Sequence, residues 1–483
     1  MSAGVFVTGC CNSHREDPHV DRHGPAALES YVKGSSATAP HAGAAISGVI
    51  MRMYRLLFAA LCAVSLVLTG CSKSGSSSGD AQLRILNAFS EAPALNVTVA
   101  STATATALPF QGLTQYTAIS SGTPTFTVGV TGATTTLVNT TYTISAGAKY
   151  TYIVFGPLTG VGAMLGNDAF TDPGNGFFSL RVANAAAGSG AVDIYLTAPG
   201  ADITSSAPTL PNISYGVTGA FASIAVGASF EIRVTTTGTK DVLFDSTPKT
   251  FAEHSANDLV VFSKGSGKLV NVALLVHDSA GTGAIADNLL AQYKVINASL
   301  VPSALNIFLD STLQLSNIPY TGVSNYQKTS AGAHSFRIEA TSTPGAALLT
   351  LSQTLSPATD TSIALAGTAG ALTALVLNDN NLPPPSGTAG VRVVNTSAGG
   401  AAFDVFVNFS KQVSSLAVNS ASPYLNFNAA ANTGTAYEFD FNVAGTTTAV
   451  LKLTSVVLTS GHKYTIYIAG PSTALQGIVT QDL

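Results

Sequence analysis

Side-chain catalysis needs a nucleophile, an acid–base group or a set of metal ligands, and in this 483-residue chain such residues are sparse and scattered. The four Cys, Cys10, Cys11, Cys62 and Cys71, all lie at or before residue 71, so the rest of the sequence can build neither a disulfide nor a thiolate metal site. Four His follow, His254, His277, His334 and His462, and none recurs at an equivalent place. His254 stands next to Glu253 and His277 next to Asp278, but neighbours on a strand point to opposite faces, so these pairs should diverge. Neither H-E-x-x-H nor G-x-x-x-x-G-K-S/T occurs. Cys10 and Cys11 with His14 lack a second ligand pair at metal-binding spacing. A literal G-x-S-x-G at Gly75–Gly79 sits in a Ser/Gly run with no strand before it, which makes it a tether rather than a nucleophile elbow. The chain is therefore expected to be no enzyme and to carry neither metal nor cofactor.

The polar residues that do recur are bases, amides and carboxylates at fixed spacing. Four segments superimpose without a gap: LRILNAFSEAPALNVTVA from Leu83, LRVANAAAGSGAVDIYLT from Leu180, YKVINASLVPSALNIFLD from Tyr293 and VRVVNTSAGGAAFDVFVN from Val391. In each, a base (Arg84, Arg181, Lys294, Arg392) stands three residues before an Asn (Asn87, Asn184, Asn297, Asn395). Nine further on comes Asn96, Asp193, Asn306 or Asp404. Periods of 97, 113 and 98 residues are those of whole domains and not of a solenoid. An Asn at a strand end can bond its own backbone two residues on, and each Asn with its partner is expected to pin the intervening loop. A cation site is the alternative there, since Asp193 and Asp404 supply carboxylates, although Asn96 and Asn306 are neutral. The segment Asn378-Asp379-Asn380-Asn381 is a second calcium candidate. The four bases alternate with apolar neighbours and should lie on a solvated face or bridge across a sheet.

The elements that must carry these residues are strands. TFTVGV, SFEIRV, SFRIEA and YEFDFNV alternate with period two, and Gly-rich turns separate such runs. An aromatic block also recurs: Phe110, Tyr215, Tyr320 and Tyr424 are followed six residues later by Tyr116, Phe221, Tyr326 and, as the exception, Ala430. Tyr116, Phe221 and Tyr326 suit sandwich-core packing with a hydroxyl bonded to backbone, as in a tyrosine corner. Facing outwards, they would stack on sugar rings. SAGAKYTYIVFGP and TSGHKYTIYIAGP close the first and last copies almost letter for letter. The expected fold is all-β, with four tandem immunoglobulin-like antiparallel β-sandwich domains at 81–167, 177–278, 291–378 and 390–483. Pro, Gly, Asn and Asp gather between them, around 167–177, 278–290 and 378–389, and links this short leave neighbours only partly free to swing.

Ahead of the repeats lies an address. Arg52 and Arg55 precede a 13-residue apolar run, Leu56–Leu68, which is too short to span about 30 Å of hydrocarbon comfortably. Its end, Leu68-Thr69-Gly70-Cys71, resembles the lipobox of bacterial lipoproteins, so residues 51–70 are expected to be a lipoprotein signal peptide. The resemblance implies cleavage before Cys71 and lipidation of its thiol, with two or three acyl chains anchoring the chain to the membrane. Residues 71–80 then form a flexible tether, and Ser72 fits outer-membrane retention. Residues 1–50 do not belong ahead of such a signal and are expected to be a disordered extension from a mis-assigned start, with Met51 or Met53 the true first residue. A net charge of −4 and the absence of a Lys/Arg cluster exclude nucleic acid as the expected partner.

The opening R/K-Φ-Φ-N-A/T pattern, the G-x-K-Y-T strand and the D-N-N-x-P-P link together resemble the bacterial family of domain of unknown function 4397 over nearly all of residues 81–483. Family members commonly read His-A-S-P-D-A-P after the first strand, whereas the copies here read NAFSEAP, NAAAGSG, NASLVPS and NTSAGGA. The resemblance implies tandem domains in a secreted or lipid-anchored envelope protein and brings no activity. The expectation is thus a non-enzymatic, lipid-anchored protein displaying sandwich domains to a protein or glycan partner, facing the periplasm or the cell surface. A carbohydrate- or peptidoglycan-binding module or adhesin is the alternative, marked by an exposed row of Tyr and Phe.

Overall fold

The computed structural model describes residues 79–483. The extension 1–50, the signal peptide 51–70 with Leu68, Thr69 and Gly70, the lipidation site Cys71 and all but the end of the tether 71–80 lie outside the described residues. Among the described residues no helix is long and apolar enough to cross a membrane.

The described chain is built of strands, and they form four two-sheet sandwiches. In repeat 1 one sheet runs Thr117–Ser120, Asp80–Asn87, Lys149–Phe155, Gly162–Asn167, and the other Thr102–Pro109, Ala94–Val99, Thr125–Val130, Thr136–Thr141. Repeat 3 has the same order, from Leu290–Asn297 to Ala371–Asp379. Repeats 2 and 4 split the short edge strand in two, at Val217–Thr218 and Ala222–Ala225 and at Ser420–Ala421 and Leu425–Asn428.

The pairing is mostly antiparallel, with one exception that recurs in all four copies. The opening strands Asp80–Asn87, Phe177–Ala185, Leu290–Asn297 and Thr388–Asn395 pair in parallel with the partner strands Lys149–Phe155, Ala256–Ser263, Asp360–Thr368 and Lys463–Ala469. Each partner strand then pairs antiparallel with the strand that follows it in the chain.

Inside each sandwich the inward residues form a core, such as Leu83, Ile85, Val97, Phe126 and Tyr152 in repeat 1. A fully buried side chain of this size contributes roughly 1.5–3 kcal/mol. The opening sheets are buried on their outer faces too, because two repeats press these faces together. Leu86, Ile153 and Phe155 of repeat 1 pack on Ala183, Val260 and Phe262 of repeat 2. Ile296, Ala364 and Leu377 of repeat 3 pack on Val394, Tyr467 and Ile478 of repeat 4. Strands buried on both faces read as near-continuous apolar runs, which explains LRIL, LRVA, YKVI and VRVV.

One feature departs from the sequence expectation, and a second sets repeat 2 apart from its siblings. The expected linker 278–290 contains a strand, Gly283–Ile285, that extends the opening sheet of repeat 2. Repeats 1, 3 and 4 close their second hairpin with two positive-φ residues, Ala100-Ser101, Asp310-Ser311 and Asn408-Phe409, whereas repeat 2 inserts the segment from Ala198 to Thr209.

Candidate functional site

The recurring bases stand on the outer faces of the opening strands, where parallel pairing sets each beside a polar residue: Arg84 by Thr151, Arg181 by Asp258, Lys294 by Ser362, Arg392 by Thr465. None lies on a solvated face. Arg84 is 0% exposed, and Arg181, Lys294 and Arg392 are also buried, because the two paired repeats close over them.

Between repeats 1 and 2 the bases reach across reciprocally. Arg84 donates from Nε to Thr151 Oγ1 at 2.8 Å and from Nη1 to the Val276 carbonyl of repeat 2 at 2.7 Å, and Nη2 lies 3.5 Å from Asp258 Oδ2. Arg181 grips Asp258 with Nε and Nη2 at 2.7 and 2.8 Å. It also donates to Asp168 Oδ1 of repeat 1 at 2.8 Å and to the Asn167 carbonyl at 2.5 Å. A side chain at Gly166 would crowd this guanidinium, since a Cβ there would stand 3.0 Å from Nη2. Tyr116 and Thr151 each donate a hydroxyl to Asp168 Oδ2 at 2.7 Å. The rings of Tyr116 and Phe221 cover Arg84 and Arg181 at 5.1 and 4.6 Å.

The repeat 3–4 cluster is built to the same plan. Lys294 donates to Asp482 across the interface, and Arg392 donates to Asp379 at 2.5 Å. Tyr326 and Ser362 donate to Asp379 Oδ2, each at 2.7 Å, and Tyr424 donates to Asp482 Oδ2 at 2.8 Å. Lys294 lies over Tyr326 and Arg392 over Tyr424 at 4.8 and 4.9 Å.

Burial alone would raise Asp258, Asp379 and Asp482, and the bases decide where it does not. Hydrogen bonds from His277 and Arg181 outweigh burial at Asp258 and hold it below the usual carboxylate range. Lys294 and Arg392 do the same for Asp482, whereas burial wins at Asp379 and pushes it up. Burial and the Asp168 carboxylate push Tyr116 far up. Burial pulls Lys463 down to about 8.

Repeat 2 carries the one rearrangement. Its His277 occupies the register position of Asp168, Asp379 and Asp482, and the carboxylate comes instead from Asp258 on the partner strand. His277 Nε2 lies 3.0 Å from Asp258 Oδ2, and Nδ1 lies 3.2 Å from the Asp168 carbonyl. Asp168, Asp258 and His277 thus bring possible ligand atoms within 4.8 Å of one another. Arg84 and Arg181 already supply the positive charge that a cation would bring, so the trio is an ion-pair network.

The first amide of each pair does what its place at a strand end suggests, and in copies two and four it also donates into the intervening loop, to the Gly190 and Ala401 carbonyls. Asn87, Asn184, Asn297 and Asn395 are fully buried and accept the backbone N–H two residues on, at 3.0–3.2 Å. Each also donates to a carbonyl at the end of the following strand region: Leu108, Ile213, Ile318 or Leu416. Their partners do not pin the intervening loop. Asn96, Asp193, Asn306 and Asp404 accept the N–H of Ala107, Asn212, Asn317 and Ser415 at 2.7–2.9 Å, and these four residues all have φ between 50° and 57° apart from Ala107 at 49°. The acceptors therefore hold a left-handed bulge in the neighbouring strand, and Asp193 and Asp404 spend their oxygens on backbone N–H groups, Thr237 and Lys411. Asp379, at the calcium candidate, is taken up by Arg392, Tyr326 and Ser362.

Two further expectations need correction. Tyr116 and Tyr326 bond carboxylates and not backbone, and they sit over the charge clusters instead of inside a sandwich core. In copy four the equivalent aromatic is Tyr424 itself, not the position of Ala430, because Asn419 N–H bonds the Asn395 carbonyl as Gln111 bonds Asn87 and Thr321 bonds Asn297. Val418 therefore replaces Phe110 and Tyr320. The spacing carried this signal, since Tyr116, Tyr326 and Tyr424 each stand 29 residues after their Asn. Asp379, expected at a calcium site, serves the charge cluster instead, and its equivalents Asp168 and Asp482 carry the same signal in the sequence, since N-D, N-D and Q-D stand at the end of the closing strand in three copies. The His residues turn to partners distant in sequence or to backbone: His254 to Asp172 at 2.7 Å, His334 to Asp310 at 2.6 Å, His462 to the Ser460 carbonyl at 3.1 Å.

A family model described as "Domain of unknown function (DUF4397)" matches residues 81–195, 291–401 and 389–483. No curated protein matches the chain. Among solved structures, the carbohydrate-binding module CBMbc (family CBM26) of Eubacterium rectale Amy13K, in complex with maltoheptaose, is similar at 14% identity over 38% of this chain and 92% of that chain, with a TM-score of 0.14. The Bacillus anthracis TIE protein is similar at 10% identity over 74% of this chain and 58% of that chain, with a TM-score of 0.15. At such TM-scores neither likeness bears on ligand or mechanism.

Proposed function

The chain belongs to the DUF4397 family, which carries no assigned activity, and on that premise we propose that it is a non-enzymatic, lipid-anchored protein of the cell envelope whose sandwiches act as two fixed pairs displaying loops to a partner. The observation that carries this reading is the reciprocal charge cluster in each pair. Bases, acids and aromatics recur where a site would be sought, and they are spent on one another across the repeat boundary. Buried ion pairs of this kind add little net stability over apolar packing but penalise any docking that leaves a charge alone, which favours one relative orientation. A scaffold with fixed orientations presents its hairpin tips and outer sheets at set spacings. Tyr116, Phe221, Tyr326 and Tyr424 lie over the bases of these clusters and are thereby taken from sugar stacking, so the partner is sought first among envelope proteins.

Lipid labelling with a palmitate analogue, followed by protease treatment of intact cells, tests the reading. The expected result is label and membrane retention that both vanish in Cys71→Ala. Unchanged membrane retention of that variant overturns the anchor. Digestion of a C-terminal epitope on intact cells would assign the domains to the surface, and protection until permeabilisation to the periplasm.

A further inference from the structure

Repeat 2 differs from its siblings at one hairpin, and the difference is built over charge. The segment from Ala198 to Thr209 folds back across the outer sheet and buries Ile203. Glu231 accepts the Gly200 N–H at 2.5 Å. Arg233 Nη1 donates to the Ala201 carbonyl at 2.8 Å and to Thr197 Oγ1 at 3.1 Å. Lys240 donates to the Ser206 carbonyl at 2.5 Å and to the Tyr195 hydroxyl at 2.8 Å. Beneath the segment, Arg233 Nη2 lies 2.6 Å from Glu231 Oε2 and Nε 3.3 Å from Asp245 Oδ1. One guanidinium thus faces two carboxyls, which together carry one more negative charge than it balances, and this favours a proton on one of them.

We propose that residues 198–209 form a pH-gated strap, latched while Glu231 and Asp245 share one proton and released from the sheet when that proton is lost. Burial and the hydrogen bond to Glu231 push Asp245 up to about 7, whereas Asp245, Gly200 and Arg233 outweigh burial at Glu231 and hold it below its usual range. The proton therefore sits on Asp245. The other charged or titratable groups facing the pair are Arg233, Tyr195 on Val192–Thr197, Lys240 in the turn before Val242–Asp245, and Asp202 in the strap itself. Arg233 alone touches both carboxyls. Deprotonation leaves two carboxylates on one guanidinium, and their repulsion acts on the oxygen that holds Gly200. A carboxyl raised in the closed state favours closure at low pH, so the latch is full below the ordinary carboxylate range and weakens as pH rises through about 7.

Hydrogen exchange of the full chain, with each rate divided by its intrinsic value, reads the strap directly. Peptides covering 198–209 should be best protected near pH 4, lose protection by up to about tenfold per pH unit between about pH 4 and about pH 7, and level off above that, where open and closed states have both lost the proton. The Asn408–Phe409 hairpin should show no such slope. Asp245→Asn, which keeps a donor in place without a titrating proton, should stay protected throughout, and Glu231→Gln should also lose the slope. A flat profile in the wild-type chain, or the same slope in both variants as in wild type, overturns the proposal.

Discussion

Replacing one guanidinium in the repeat 1–2 cluster exposes what it is worth. In Arg181→Met, Asp168 and Asp258 stay buried with Arg84 the one guanidinium left beside them and His277 still bonded to Asp258, and unfolding free energy measured in urea should fall by about 3–5 kcal/mol. Acid should act on the same clusters with a definite sign. Asp258 and Asp482 are held below their ordinary range, so the stability they contribute is complete above about pH 4 and is lost as pH falls through their folded values. Asp379, pushed up by burial, works in the opposite direction and favours the folded chain least at high pH. Denaturation between pH 6 and pH 3 should show the loss, and Asp482→Asn should flatten that slope while lowering stability throughout.

The bulges belong to the scale of the strand. Asp404 accepts the N–H of Ser415, whose φ of 50° places it in the left-handed region that costs a non-Gly residue roughly 1–2 kcal/mol. Ser415→Gly should therefore stabilise repeat 4 by about 0.5–1 kcal/mol, and Asp404→Ala should cost about 1–3 kcal/mol, both read from thermal unfolding. Strand class, copy number and the Asn turns are legible in the residues, because period two and a four-fold fixed spacing are local signals. The bulge that Asn96 holds is less so, since Ala107 carries no mark of its positive φ. Pairing of the repeats was half-legible: LRIL and its equivalents announce burial on both faces, but the Arg84–Val276 bond joins residues 192 apart, and nothing local in the sequence names that partner. Alternation of Arg84 with apolar neighbours suits a wet face as well as an interface, so the solvated alternative failed only once a second repeat was in place.

Across the whole molecule the same faces predict behaviour on dissection. A fragment of residues 79–167 would bare Leu86, Ile153 and Phe155 around an uncompensated Arg84 and should self-associate, whereas 290–483 keeps its pair intact and should sediment as a monomer. Analytical ultracentrifugation of the two distinguishes them. The parallel pairing in every repeat also sets an order of assembly. Asp80–Asn87 is made before the rest of its repeat, yet its parallel neighbour Lys149–Phe155 follows only after most of the repeat has been synthesised. For that interval a strand meant for burial on both faces has no sheet to join, and contacts closed so late in sequence slow folding. The strands destined for burial on both faces are thus the ones left unpaired while each repeat is made, and a holding chaperone would find its binding site there, four times over.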